Sequence, residues 1–272
     1  MNGWRRAEAP AKLNLALVVG PLRPDGKHEV TTVLERLSLC DTVAVRRTAV
    51  RRVSGFAEDT LVAAALEVIA RLSGGATAFE ARIDKRIPVA AGLGGGSSDA
   101  ATALRLANEL LGAPVERADL LQAAGSLGSD VPFFLTDGPQ LATGDGTTLH
   151  RLDLPRDYAV LLALPAGAAK TSTADVYAAF DARSGEEGYE ARRSALRASL
   201  ADLRLAADLG ALPPNDLGGS PLAGELTALG AFRADVTGAG PVVYGLFANE
   251  LQASGAAEAL VGRAQTWIAF PG

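Results

Sequence analysis

The chain has 272 residues, of which 48% are hydrophobic and 21% charged, a globular balance with enough apolar side chains for one large or two modest cores. A formal net charge of −5, two histidines and one cysteine argue against a nucleic-acid partner, a histidine-built metal centre and a disulfide framework. No apolar run approaches the ~20 residues of a membrane span, and residues 1–12 lack the apolar core of a secretory signal, so a cytoplasmic home is expected.

Residues 13–19 read as a short strand that stops at Gly20-Pro21, and 20–28 as a loop by its Gly, Pro and Asp content. Residues 30–39 and 42–47 read as two strands joined at Cys40-Asp41. Leu61, Ala65, Leu66, Ile69 and Leu72 recur at helical spacing, predicting a helix over 59–72 capped by Asp59 or Thr60. A strand over 77–87 halts at Pro88 and leads into a glycine-rich loop. Helices over 98–111 and 115–127 follow, closed by Gly112 and Gly128. The second half carries a hairpin around Gly144-Asp145-Gly146 and a buried strand at 158–164. Helices are predicted at 173–181, 190–207, 221–229 and 250–262, with strands at 232–236, 242–247 and 266–270. Strands and helices mix without strict alternation, which is α+β patterning. A break near Pro155 divides the chain into expected domains at 1–152 and 153–272.

The loop reads Pro88-Val89-Ala90-Ala91-Gly92-Leu93-Gly94-Gly95-Gly96-Ser97-Ser98-Asp99. Its glycines permit positive φ and close backbone approach, and the Ser-Ser-Asp cluster marks a helix start. Consecutive N–H groups at a helix N-terminus make an anion site, and a phosphate chain is its natural guest. A Walker loop would need Lys here, and a dinucleotide fingerprint would need Gly at Ser97. A flexible glycine linker conflicts with the apolar strand before and the strong helix after. Only four of the 26 basic residues are Lys: Lys12, Lys27, Lys85 and Lys170. A position kept as Lys in an Arg-rich chain is a candidate for a compact point charge. Lys12 lies in an apolar strand and Asp130 just before Val-Pro-Phe-Phe. By itself Lys12 also reads as a solvated surface charge, and Asp130 as a turn or cap residue.

The loop, with Lys85-Arg86-Ile87 before it and Ala100-Ala101 after, resembles the phosphate-binding motif of the GHMP kinases. Four further stretches extend the resemblance in the same order: Ala9-Pro10-Ala11-Lys12-Leu13-Asn14-Leu15, Arg23-Pro24-Asp25-Gly26-Lys27-His28, Leu127-Gly128-Ser129-Asp130-Val131-Pro132 and Thr237-Gly238-Ala239-Gly240-Pro241. Within the family, the match is closest to the branch whose acceptor is a polyol carrying a cytidine diphosphate. The resemblance implies a two-lobed α+β fold, with an N-terminal domain like domain 2 of ribosomal protein S5 and a ferredoxin-like C-terminal domain. It places the active site between the lobes.

It also implies an ATP- and Mg²⁺-dependent small-molecule kinase acting as a monomer or weak homodimer, without nucleic-acid or membrane partners. Lys12 and Asp130 match the family's catalytic pair. Lys85 and the run Pro88, Val89, Ala90, Ala91, Gly92, Leu93, Gly94, Gly95, Gly96, Ser97 and Ser98 match its ATP site, with Gly238, Ala239 and Gly240 as the second glycine turn. Asn14, Lys27, His28, Thr173 and Tyr177 match positions near the acceptor, His28 reading the cytosine edge and Tyr177 stacking on it. Thr173 reads equally as a helix cap and Tyr177 as core. Lys27 stands where the family usually has Tyr, and Thr60 where it tends to have Asn. No metal-ligand set stands out, so the magnesium is expected on nucleotide phosphates and water. Two other readings are a GHMP kinase for another small alcohol (homoserine, a mevalonate or a sugar) and a catalytically silent nucleotide-binding relative.

Overall fold

The computed structural model describes residues 3–56, 61–75, 77–168 and 172–272. The expected cap at Asp59 or Thr60, and Lys170, lie outside them. The chain packs as two compact units. The first comprises Met1–Ala11, Leu39–Val89 and Gly94–Asp137, and the second Lys12–Ser38, Ala90–Leu93 and Gly138–Gly272. Two long paired strands, β1 (Arg5–Leu22) and β2 (His28–Thr48), each give one end to either unit.

In the first unit, β2 runs antiparallel to β4 (Ala78–Asp84), with Val43 opposite Ile83. A three-residue strand, β3 (Arg52–Ser54), lies parallel on the other edge of β4. Helices α1 (Leu61–Leu72), α2 (Gly95–Leu110) and α3 (Arg117–Leu127) complete it. Val43, Val45 and Phe79 of the strands meet Leu66 and Ile69 of α1 and Ala100, Leu104 and Ala107 of α2 in one apolar cluster. Residues 98–104 of α2 are buried without interruption, so this helix is central rather than amphipathic. Its alanines let the neighbouring helix and strands approach closely.

In the second unit, the first half of β2 pairs with β5 (Gln140–Gly144), which turns into β6 (Thr148–Arg151). An antiparallel sheet follows in the order β10 (Ala264–Ala269), β7 (Ala159–Pro165), β9 (Val243–Phe247), β8 (Arg233–Val236). Leu222 and Leu226 of α6 (Pro221–Ala228), with Ala253 and Ala256 of α7 (Glu250–Ala259), pack on Leu161, Val243 and Phe247 of that sheet. Helices α4 (Thr173–Ala182) and α5 (Tyr189–Asp202) lie between β7 and α6 in sequence.

The mixed α+β class agrees with the sequence patterning; the first strand runs over Arg5–Leu22 rather than 13–19, and three further boundaries differ for physical reasons. The expected break at Cys40-Asp41 is absent, because the buried Asp41 carboxylate accepts from the N–H groups of Arg86 (2.6 Å) and Ile87 (2.8 Å), leaving β2 continuous. Helix α2 starts before its Ser-Ser-Asp cluster, since Gly94 adopts the left-handed φ of 69° that launches it. The helix expected over 190–207 ends at Asp202, and a separate 3₁₀ turn covers Ala206–Ala211.

Glu35 of β2 is fully buried in the second unit. Arg36 N–H donates to its Oε1 (3.1 Å) and Arg156 Nη2 lies 3.9 Å away, while Oε2 and the nearby Tyr158 hydroxyl hydrogen-bond to nothing among the described residues. Burial pushes its carboxyl up to about 7, against the pull of Arg156. A carboxyl raised on folding binds its proton more tightly in the native state. Its contribution to stability is therefore full below the unfolded value near 4.5 and is lost as pH rises toward 7. Glu35→Gln should match the native chain near pH 4.5 and exceed its stability by about 3 kcal/mol near pH 8. Urea melts of both proteins at the two pH values check this, and parallel pH dependences would contradict it.

Candidate active site

The second unit brings two glycine turns into backbone contact. The turn between β8 and β9 is closed by Thr237 N–H on Val242 O (3.1 Å) and Gly240 N–H on Thr237 O (3.3 Å). A Cβ on Gly240 would overlap the backbone of Ala91 and Gly92, and one on Gly92 (φ 82°) would overlap Thr237 O. Only glycine permits this approach.

Lys12 and Asn14 sit over the same junction. They are alternate residues on one face of β1, exposed by only 4% and 5%. A Cβ on Gly238 (φ 58°) would lie 3.1 Å from Lys12 Nζ and 3.3 Å from Asn14 Oδ1. Lys12 N–H donates to Leu93 O (2.9 Å), and its Nζ donates to Asn14 Oδ1. Asn14 Nδ2 in turn donates to Thr32 Oγ1 (2.8 Å), which donates to Ala16 O (2.7 Å), and Asn14 N–H donates to Thr237 Oγ1 (3.1 Å). Asn215 pins the second turn by donating to Gly238 O (2.8 Å) and Val236 O (3.2 Å). Thr32 has no signal in the sequence, because a strand threonine carries no functional pattern of its own, whereas Thr237 lies in the second glycine stretch.

The first unit holds the head of α2. Its first-turn N–H groups, from Gly95 to Ser97, have no intrahelical acceptors by the geometry of a helix end, an arrangement suited to an anion. Ser98 is fully buried, and its hydroxyl makes no hydrogen bond among the described residues. Lys85 donates to Asp99 Oδ2 (2.8 Å) and to Asp41 Oδ2. Burial works against the Lys85 charge, yet these two carboxylates outweigh it and raise its pKa. Asp41 thus anchors the entry to the glycine loop on one oxygen and Lys85 on the other, a role hidden in the sequence, where Asp41 reads as a break between strands. Within the loop Pro88 is half-buried, Val89 exposed, and Ala90 takes φ 54°, a strained conformation for a residue with a Cβ. Asp130 is half-buried in the turn after α3, where Val131 N–H bonds Gly128 O (3.1 Å), just before a 3₁₀ turn over Pro132–Leu135.

Of the expected acceptor residues, the second unit brings His28 and Tyr177 together, their rings stacked 4.9 Å apart at 30°. His28 Nε2 lies 2.7 Å from Asp181 Oδ1, a partner not expected from sequence. Lys27 Nζ donates to Asp145 Oδ2 (2.7 Å) in the β5–β6 turn. Burial opposes the Asp145 charge, but hydrogen bonds from Lys27 and Thr147 win and hold its carboxyl at about 2. Thr173 stands exposed as the first residue of α4, whose cap is Ser172, with Asp175 N–H on its Oγ (3.1 Å).

The contact between the turns is testable with two glycines. Gly240→Ala should destabilise the chain by about 2 kcal/mol, as overpacked sites do. Gly255→Ala, in α7 with nothing within 4 Å of its Cβ, should stabilise by about 0.5–1 kcal/mol. Urea denaturation of both variants reads the difference, and a Gly240→Ala chain as stable as the parent would contradict the packing.

The family profile described as "GHMP kinases N terminal domain" matches residues 60–138. A protein of Geobacter metallireducens named 4-diphosphocytidyl-2-C-methyl-D-erythritol kinase is 36% identical, over 96% of this chain and 95% of its own length. One of the same name from Anaeromyxobacter dehalogenans is 41% identical over 94% of this chain and 85% of its own. A crystal structure titled 4-(cytidine 5'-diphospho)-2C-methyl-D-erythritol kinase superposes with a TM-score of 0.79 at 30% identity, covering 98% of this chain and 100% of that one. With five motifs in order and relatives of this identity along nearly its whole length, the chain belongs to the 4-diphosphocytidyl-2-C-methyl-D-erythritol kinase family of GHMP kinases.

Proposed function

We propose that the chain transfers the γ-phosphoryl group of ATP to the 2-hydroxyl of 4-diphosphocytidyl-2-C-methyl-D-erythritol, a step of non-mevalonate isoprenoid precursor synthesis. The observation that carries the reading is the buried Lys12–Asn14 pair set over Gly238, beside the backbone contact of the two glycine turns. An ammonium held at a glycine-lined backbone is suited to an oxyanion, and phosphoryl transfer needs mainly such positioning and charge.

In this reading Pro88–Ser98 and the head of α2 receive the ATP phosphates through backbone N–H groups. Lys85, fixed by Asp41 and Asp99, adds positive potential there. The acceptor hydroxyl oxygen bonds to the γ-phosphorus as the bond to the bridging oxygen of ADP breaks, and its proton passes to the Asp130 carboxylate. Lys12 stabilises the developing negative charge. Asn14, Lys27, His28, Thr173 and Tyr177 bind the acceptor, and Gly238, Ala239 and Gly240 line its reacting end.

No group of three or more His, Cys, Asp or Glu side chains able to share an ion occurs among the described residues. In this reading magnesium would be carried on the nucleotide phosphates and water, with Ser97 or Ser98 able to contribute a hydroxyl. When bound it neutralises phosphate charge. Among the described residues no helix is long and apolar enough to cross a membrane. The reading retains a cytoplasmic monomer or weak homodimer, with family domains at 1–152 and 153–272.

Asp130→Asn should lower kcat by about 10²–10⁴, the contribution of a positioned general base, with little change in the KM for ATP. Lys12→Ala should lower kcat comparably, and the double variant should lose little more, because groups acting as a unit are non-additive. Steady-state kinetics on the cytidylylated acceptor measure all three. Near-normal turnover by Asp130→Asn would overturn the assignment.

A further inference from the structure

We propose that Asp181 is a positioning residue that sets the choice of base, by fixing which nitrogen of His28 carries the proton. The inference rests on the reading above, in which His28 faces the base of the acceptor.

His28 is 8% exposed at the start of β2, and its ring is clamped on two sides. Tyr177 stacks on one face, and Phe180 meets it edge-on with centroids 5.8 Å apart. Both come from α4, and so does Asp181, whose Oδ1 lies 2.7 Å from Nε2. The three contacts fix the plane of the imidazole and its rotation about the ring axis.

A carboxylate only accepts hydrogen bonds, so the nitrogen facing it must be the protonated one. In neutral His28 the proton is therefore on Nε2, and Nδ1 is left with a lone pair. That lone pair accepts from an amino group and repels a carbonyl oxygen. Cytosine presents a 4-amino donor where uracil presents a 4-oxo acceptor. The pairing of Nε2 with Asp181 thus makes the other side of the ring selective for an aminopyrimidine. Asn at position 181 would lift the constraint, since its amide donates as readily as it accepts and allows the proton to move to Nδ1.

Asp181 is about half exposed and belongs to no part of the core, so its substitution leaves packing intact. The test compares Asp181→Asn and Asp181→Glu with the parent chain, using as acceptors 4-diphosphocytidyl-2-C-methyl-D-erythritol and its uridine counterpart. Asp181→Asn should raise the KM for the cytidine acceptor roughly 10-fold, the worth of one hydrogen bond, and cut the cytidine-over-uridine preference in kcat/KM by about the same factor. Its saturating kcat and its KM for ATP should stay unchanged, and Asp181→Glu should recover part of the preference. Nitrogen-15 NMR of the imidazole gives a readout that a merely structural role would not move. His28 should be the Nε2–H tautomer in the parent and a mixture of tautomers in Asp181→Asn.

An unaltered base preference in Asp181→Asn, or an Nδ1–H tautomer in the parent, would overturn the inference while leaving the kinase reading standing. A parent chain that phosphorylates neither acceptor would bring down the kinase reading and this inference with it, whatever the tautomer.

Discussion

The contact between the turn at Gly238–Gly240 and the stretch Ala91–Gly92 is the constraint on which the candidate site depends. Two backbones meet where any Cβ would overlap main-chain atoms, so residues far apart in sequence are held in one register. Lys12 and Asn14 inherit their position from it. Lys12 N–H bonds Leu93 O at the end of the first stretch, and Asn14 N–H bonds Thr237 Oγ1 at the start of the second turn. Asn215 reinforces the arrangement from behind by donating to Gly238 O. A buried ammonium needs hydrogen-bonded surroundings, and this framework provides Asn14 Oδ1, itself fixed through Thr32.

The first unit solves a related problem with charge. Asp41 and Asp99 lie almost wholly buried, and such carboxylates are stable only when paired or hydrogen-bonded. Lys85 joins them, while Asp41 also accepts from two backbone N–H groups at the entry to the glycine loop. The cluster therefore anchors the approach to the loop and places a cation close to the head of α2.

The candidate runs are legible in the sequence because each is local. The glycine loop, the Lys12–Asn14 strand and the Thr237–Pro241 turn are contiguous strings whose residue types demand a backbone geometry or a charge. The helices expected over 59–72 and 115–127 follow from periodicity and, for the second, a glycine stop, and the structure has them at Leu61–Leu72 and Arg117–Leu127. What stayed hidden depends on contacts across long sequence separations. Asp41 reads as a strand breaker until the N–H groups of Arg86 and Ile87 are seen to satisfy it. Asp181 reads as a solvated helix residue until His28 meets it across 153 positions. Asp145 reads as a turn former until Lys27 reaches it, and a lysine where the family usually has an aromatic ring is then seen as half of an ion pair. The start of α2 is hidden in the sequence because Gly94 caps the helix through its backbone alone, with no side-chain cap to mark it.

The most direct test of the account is a comparison of acceptors. The purified chain, with ATP and magnesium, is offered 4-diphosphocytidyl-2-C-methyl-D-erythritol, the same polyol phosphate without its cytidylyl group, homoserine and mevalonate, and products are followed by phosphorus NMR. The account predicts ADP and a new phosphate monoester from the cytidylylated polyol, with the highest kcat/KM of the set. Faster phosphorylation of homoserine or mevalonate, or indifference to the cytidylyl group, would contradict it.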